Sequence, residues 1–231
     1  MKNIELRPTL NQTFELVGRQ EYDFVAVQRR AERLQSENRI EEACNVRYAA
    51  VQRLVEVLPE DEEIVLEWSD RNSRAALEVV EASARDHLLI GDYEMAAALA
   101  EMALDLDPED HLEVVILAAF CYVALGEYEL FDEIATDISD KAAEKQILAL
   151  WASFRRTGTL QTDALKQLRQ HYPEYYDEFT REEHPADDSY RSEMENDAPS
   201  RKTQARHLWL QTQSLWEEHR DFTKALAAAD C

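Results

Sequence analysis

Three of the four glycines in this 231-residue chain, Gly91, Gly126 and Gly158, stand 35 and 32 residues apart, each between two apolar-periodic segments. That spacing constrains the fold more than any other feature. Ahead of Gly91, Val80, Ala84, His87 and Leu88 recur on one helical stripe. Beyond it, Ala96, Leu99, Ala100 and Ala103 form a second stripe at the 3.6-residue period. Gly91 tolerates a positive φ, Asp92 can cap the following helix, and Pro108, lacking an N–H, ends it. The expectation is a helical hairpin over residues 77–110. A second, over about 112–140, keeps Ala119 and Tyr122 ahead of Gly126-Glu127-Tyr128-Glu129. Upstream, Asn38 takes the turn position, with Ile40, Ala43, Ala50 and Pro59 after it, and Asn is a ready substitute for Gly in the left-handed region. Downstream, Gly158 divides a fourth pair. One hairpin cannot bury its own apolar face, so hairpins in phase are expected to stack.

The Gly-Asp-Tyr turn, the small residues Ala96 and Ala103, and the closing Pro108 resemble the tetratricopeptide repeat (TPR) family, whose period is about 34 residues. The resemblance departs at Val80 and Val115, where the family often has Trp, at His87 for Tyr, and at Phe131 for a small residue. It implies an all-α protein, a right-handed α-solenoid of about four degenerate repeats over residues 20–172. Residues 1–19 are expected to be a lead-in plus a short capping helix carrying Leu10, Phe14 and Val17. The turn-to-turn distance from Asn38 to Gly91 is stretched to 53 residues, and a short helix in DEEIVLEWSD, anchored by Ile64, Leu66 and Trp68, would account for it. Trp68 reads as a packing anchor. Residues 173–199 hold 10 acidic and 2 basic residues with few aliphatics, the composition of a linker or disordered loop, with Tyr175, Tyr176 and Phe179 pinning its start. Residues 200–231 then read as one amphipathic helix. Leu208, Thr212, Leu215, Trp216, His219 and Leu226 form its stripe, and Arg201, Lys202, Arg206, Arg220 and Lys224 lie outside it. That helix either caps the last repeat, fills the groove, or engages a partner, with Leu208, Leu215 and Trp216 as its contact residues.

Composition excludes several function classes. With three of four glycines used in turns, neither GxxxxGK[ST] nor GxGxxG occurs. A formal charge of −23 opposes nucleic acid and anionic membrane surfaces, and residues 86–140 carry 15 acidic residues and no Lys or Arg. Cys44 and Cys121 sit on apolar helix faces and read as core, Cys231 as terminal and exposed. The odd cysteine count and the absence of an apolar leader predict a cytoplasmic protein. The six histidines show no HExxH spacing. Glu182-Glu183-His184 falls in the linker and Glu217-Glu218-His219 on an exposed acidic face, so no metal, cofactor or catalytic residue is expected.

The expected function is a non-catalytic protein-interaction module binding a peptide or helix along the concave face. Its candidate residues are Glu81, Arg85, Glu113, Ile116 and Phe120. The partner is expected to be apolar or basic. The carboxylate clamp of the resembled family needs Lys, Arg and Asn on successive first helices, and one Arg among carboxylates does not supply it, so acidic chaperone tails are not expected to bind. The alternative reading is a small acidic TPR-like chaperone for a secreted or assembling client, and the third an enzyme or metal protein with an unrecognised site.

Overall fold

The computed structural model describes residues 3–59 and 61–229. Among them are two short strands, β1 (Ile4–Pro8) and β2 (Phe14–Gly18), and thirteen α-helices. The helices are α1 (Phe24–Ser36), α2 (Ile40–Val55), α3 (Arg71–Leu89), α4 (Tyr93–Leu106), α5 (Val114–Leu125), α6 (Tyr128–Ile134), α7 (Ala143–Thr157), α8 (Thr162–His171), α9 (Pro173–Thr180), α10 (Asp188–Met194), α11 (Arg201–Gln211), α12 (Gln213–Glu218) and α13 (Arg220–Ala228). The protein is mostly helical. Among the described residues, no helix is long and apolar enough to cross a membrane.

All four expected turns carry a left-handed residue: Asn38 at φ 59°, Gly91 at 81°, Gly126 at 80° and Gly158 at 73°. Caps agree with local chemistry. Asp23 accepts from the Ala26 N–H at the start of α1, and Asp92 accepts from the Met95 N–H at the start of α4. At α5, the Asp110 carboxylate accepts the Val114 and Val115 N–H groups at 2.6 and 3.1 Å.

The chain forms two compact units. One takes the chain up to His87 together with Asp92–Ala118; the other takes Leu88–Gly91 and the chain from Ala119 onward. In the first unit, α1 and α2 pack through Ala31, Leu34, Ala43 and Val46. Arg47 on α2 grips Asp86 on α3 with two 2.7 Å bonds. The Cys44 thiol beside this pair is pushed up by burial and by the Asp86 charge. Cys44 is half-buried, Cys121 is buried, and Cys231 lies outside the described residues.

The N-terminal capping helix is not present. Phe14 and Val17 lie instead in an antiparallel hairpin, with Ile4 opposite Gly18 and Pro8 opposite Phe14. Alternation at Ile4, Leu6 against Glu5, Arg7 suits a strand. The Thr9 N–H donates to the Thr13 carbonyl at 2.8 Å, and Gln12 at φ 65° turns the loop, leaving Leu10 in solvent. Nor is DEEIVLEWSD helical. The Phe14 N–H donates to Val65 O and the Glu67 N–H to Phe14 O, both at 2.8 Å, so this segment runs extended beside β2. Ile64 and Leu66 are its buried anchors, as expected.

The second unit corrects two further expectations. Residues 173–199 are ordered as α9 and α10, with Tyr175, Glu178 and Phe179 buried. Past residue 200 there are three helices rather than one, broken at Thr212 and His219. The Thr212 hydroxyl donates to Leu208 O at 2.6 Å and accepts the Trp216 indole N–H at 2.8 Å, a back-bond that bends the ladder. The predicted stripe is buried nonetheless. Trp216 sits among Trp151, Phe179, Phe222 and Phe120, with ring centroids at 5.0, 5.1, 5.8 and 6.1 Å.

Candidate peptide-binding groove

The residues singled out from the sequence are divided between the two units. Glu81 and Arg85 are paired with each other one turn apart on α3. Glu113 precedes α5 at φ 54°, off the helix face, and Ile116 is half-buried on the first turn. Phe120 is 1% exposed and belongs to the aromatic core of the second unit, as do Leu208, Leu215 and Trp216. The apolar character that nominated Phe120 is spent on packing.

A groove does exist in the first unit. Val25, Gln28, Arg29 and Glu32 on α1 and Arg71, Arg74, Ala75 and Glu78 on α3 line an open space of about 460 Å³. Both sets follow the i, i+3, i+4, i+7 spacing that places residues on one helix face. The Gln28 amide donates to Glu78 at 2.7 Å. Trp68, immediately before α3, closes one end. Its indole lies flat on His111, 4.5 Å away and 7° from parallel, and the Arg74 guanidinium stands 5.8 Å from its centroid. His111 is itself fixed by the buried Asp107, Nδ1 to Oδ1 at 2.8 Å, with the His111 N–H on the other carboxylate oxygen at 2.9 Å. Trp68 is thus both a packing anchor and a held aromatic edge on the groove.

Arg74 lies 4.0 Å from Glu78, whereas Arg29 and Arg71 have no ion-pair or hydrogen-bond partner among the described residues. Arg30 and Arg53, which line another open space between α1 and α2, likewise have no ion-pair or hydrogen-bond partner among the described residues, so it is the held Trp68 beside Arg29 and Arg71 that sets this groove apart. Guanidinium groups beside an indole offer bidentate carboxylate recognition and an aromatic contact at once.

The second unit holds a buried polar cluster. Glu178 is 1% exposed and is gripped by Arg206, whose Nη2 lies 3.1 Å from Oε2 and whose Nε bonds Oε1. Arg206 also donates to Pro185 O at 2.7 Å. The His184 Nδ1–H donates to Glu178 at 2.7 Å, Arg181 stands at 3.4 Å, and the His184 ring stacks on Trp209 at 3.7 Å. Burial holds the His184 pKa below its ordinary value, against the pull of Glu178, with Arg206 and Arg181 lowering it further. An adjoining cavity of about 500 Å³ is lined by Arg181, Lys202 and Arg206 together with Glu183, Asp187 and Glu193, a balanced set of charges. His219, expected on an exposed acidic face, is buried. It accepts from Arg155 at 2.8 Å, and burial, then the Arg155 charge, lower its pKa. Arg206, expected outside the stripe, is buried too.

Sequence reasoning passed over Arg29 and Arg71, and their signal was the shared four-position spacing on α1 and α3. No family model, no curated protein and no solved structure matches this chain.

Proposed function

We propose that this chain is a non-catalytic, TPR-like interaction module that binds an amphipathic segment of another protein along the groove between α1 and α3. The reading rests on one observation: Arg29 and Arg71 stand unpaired on either side of an open groove whose end is a rigidly held Trp68. In a helical-repeat protein of the resembled kind, α1 and α3 are the first helices of successive repeats. The segment bound there carries an apolar or aromatic side chain for Trp68 and a carboxylate for the arginines, which makes its charge mixed rather than basic. Acidic chaperone tails remain outside the proposal, because α5 carries no Lys, Arg or Asn to extend a clamp and Arg85 is tied to Glu81.

Selection of peptides from a random display library on the full chain tests this. Enriched peptides combine an acidic with an aromatic or aliphatic position, and Arg71→Glu or Trp68→Ala lowers their affinity about tenfold, the usual weight of one good contact. Peptides whose affinity is indifferent to both substitutions, or no enrichment at all, would end this proposal.

A further inference from the structure

The edge of the N-terminal hairpin is unfinished. In the β1–β2 ladder the Arg19 N–H donates to Asn3 O and the Thr9 N–H to Thr13 O, so the odd-numbered residues of β1 carry the bonds to β2. Phe14 and Leu16 of β2 point the other way and are satisfied there. The Leu16 N–H reaches the Ser73 hydroxyl at 2.8 Å, the Asn72 amide donates to Leu16 O at 2.6 Å, and Phe14 bonds the 65–67 segment. By the same alternation the N–H and C=O groups of Ile4 and Leu6 and the carbonyl of Pro8 face away from β2. Among the described residues nothing meets them. Such an edge is a template for another strand.

We propose that this edge pairs with β1 of a second copy of the chain, antiparallel and centred on Leu6, so that two hairpins become one four-stranded sheet. The strand sequence IELRP is self-complementary in that register. Leu6 meets the second copy's Leu6 and exchanges two backbone bonds with it. Each Ile4 N–H reaches the second copy's Pro8 carbonyl, and the missing Pro8 N–H ends the ladder there. Glu5 falls opposite the second copy's Arg7, and Arg7 opposite its Glu5, at the close, non-hydrogen-bonded positions where cross-strand charges interact best. The two-fold relation repeats each contact, as an isologous interface requires. Beside the edge, a space of about 1010 Å³ bordered by Ile4, Leu6, Val17, Tyr22, Glu56 and Val57 leaves room for side chains of the second copy. A seam of five residues buries little surface, so the association is weak and concentration-dependent.

Sedimentation velocity of the full chain over a wide concentration range is the test. The mass rises from 26.8 kDa toward twice that value as concentration increases. Leu6→Pro removes an N–H that the hairpin itself does not use, and it abolishes the rise. Should that variant lose its fold, the charge series decides. Glu5→Arg and Arg7→Glu each weaken association about tenfold, and the double exchange restores most of it. Arg7 also stands 3.6 Å from Glu15 within its own hairpin. It lies 4.0 Å from Glu5 of its own strand as well. Equimolar mixing of the two single variants, which restores opposite charges across the seam without altering either chain, therefore reads the seam alone: association returns in the mixture. A mass fixed at the monomer value, association indifferent to the charge series, or an edge that takes extended foreign peptides while the chain stays monomeric would each overturn the proposal.

Discussion

Replacing Glu178 by Gln puts the buried cluster to its hardest test. The carboxylate is 1% exposed and compensates Arg206, whose side chain is 10% exposed, so the variant leaves a guanidinium buried without its counter-ion. Breaking one side of such a pair costs about 3–5 kcal/mol, whereas replacing both sides by apolar groups is often close to neutral. With a urea m-value of about 2 kcal/mol per M, a loss near 4 kcal/mol lowers the unfolding midpoint by about 2 M. Tryptophan fluorescence is the assay: Trp209 stacks on His184 beside the cluster, and Trp151 and Trp216 lie in the same unit. The paired variant Glu178→Leu with Arg206→Met recovers most of the loss. A decrement below about 1 kcal/mol for Glu178→Gln, or a paired variant as damaged as the two single changes added together, would refute the argument that this cluster orders residues 173–199.

Two further outcomes are expected. His184 and His219 both have folded pKa values below the ordinary 6.5, so between the folded value and 6.5 the unfolded chain binds more protons. Their contribution to stability is complete above about pH 6.5 and is lost as pH falls through the folded values; the Tm drops as pH is lowered below about 6.5, and a slope unchanged by His219→Gln and His184→Gln together would remove that explanation. At the turns, Gly126→Ala meets no atom within 4 Å but keeps φ 80°, which costs about 1–2 kcal/mol and a few degrees of Tm, whereas a Cβ at Gly18 would lie 1.8 Å from the Tyr22 carbonyl oxygen. Gly18→Ala is therefore the more destabilising in thermal unfolding, and the opposite ranking would show that the hairpin shifts freely.

The turns were legible because their chemistry is local. Gly91, Gly126, Gly158 and Asn38 each needed only their own backbone to announce a positive φ, and the stripes around them needed only the helical period. The hairpin was missed although Ile4 to Arg7 alternate, because its loop turns on Gln12, a residue with no preference for that conformation, and because β2 is completed by the distant 65–67 segment. Residues 173–199 are poor in aliphatics, and their order comes from ion pairs and stacking with Arg206 and Trp209, partners some thirty residues downstream. The breaks at Thr212 and His219 depend on a hydroxyl back-bond and an Arg155 hydrogen bond that no periodicity encodes. Glu81, Arg85, Glu113, Ile116 and Phe120 were chosen by their place on helical stripes, while Arg29 and Arg71, on the α1 and α3 faces that line one groove, are visible only once the helices are side by side.

The position of Trp216 has a consequence for synthesis. Its ring partners Phe120, Trp151 and Phe179 precede it, and 65 residues separate Trp151 from Trp216. At about 5–20 residues per second, a ribosome needs roughly 3–13 s to add the indole that closes this core after Trp151 has been made. Until then Phe120, Trp151 and, once it has been made, Phe179 lack the ring they pack against in the finished protein. A ribosome stalled short of Trp216 would therefore leave the second unit without the ring at the centre of its aromatic core.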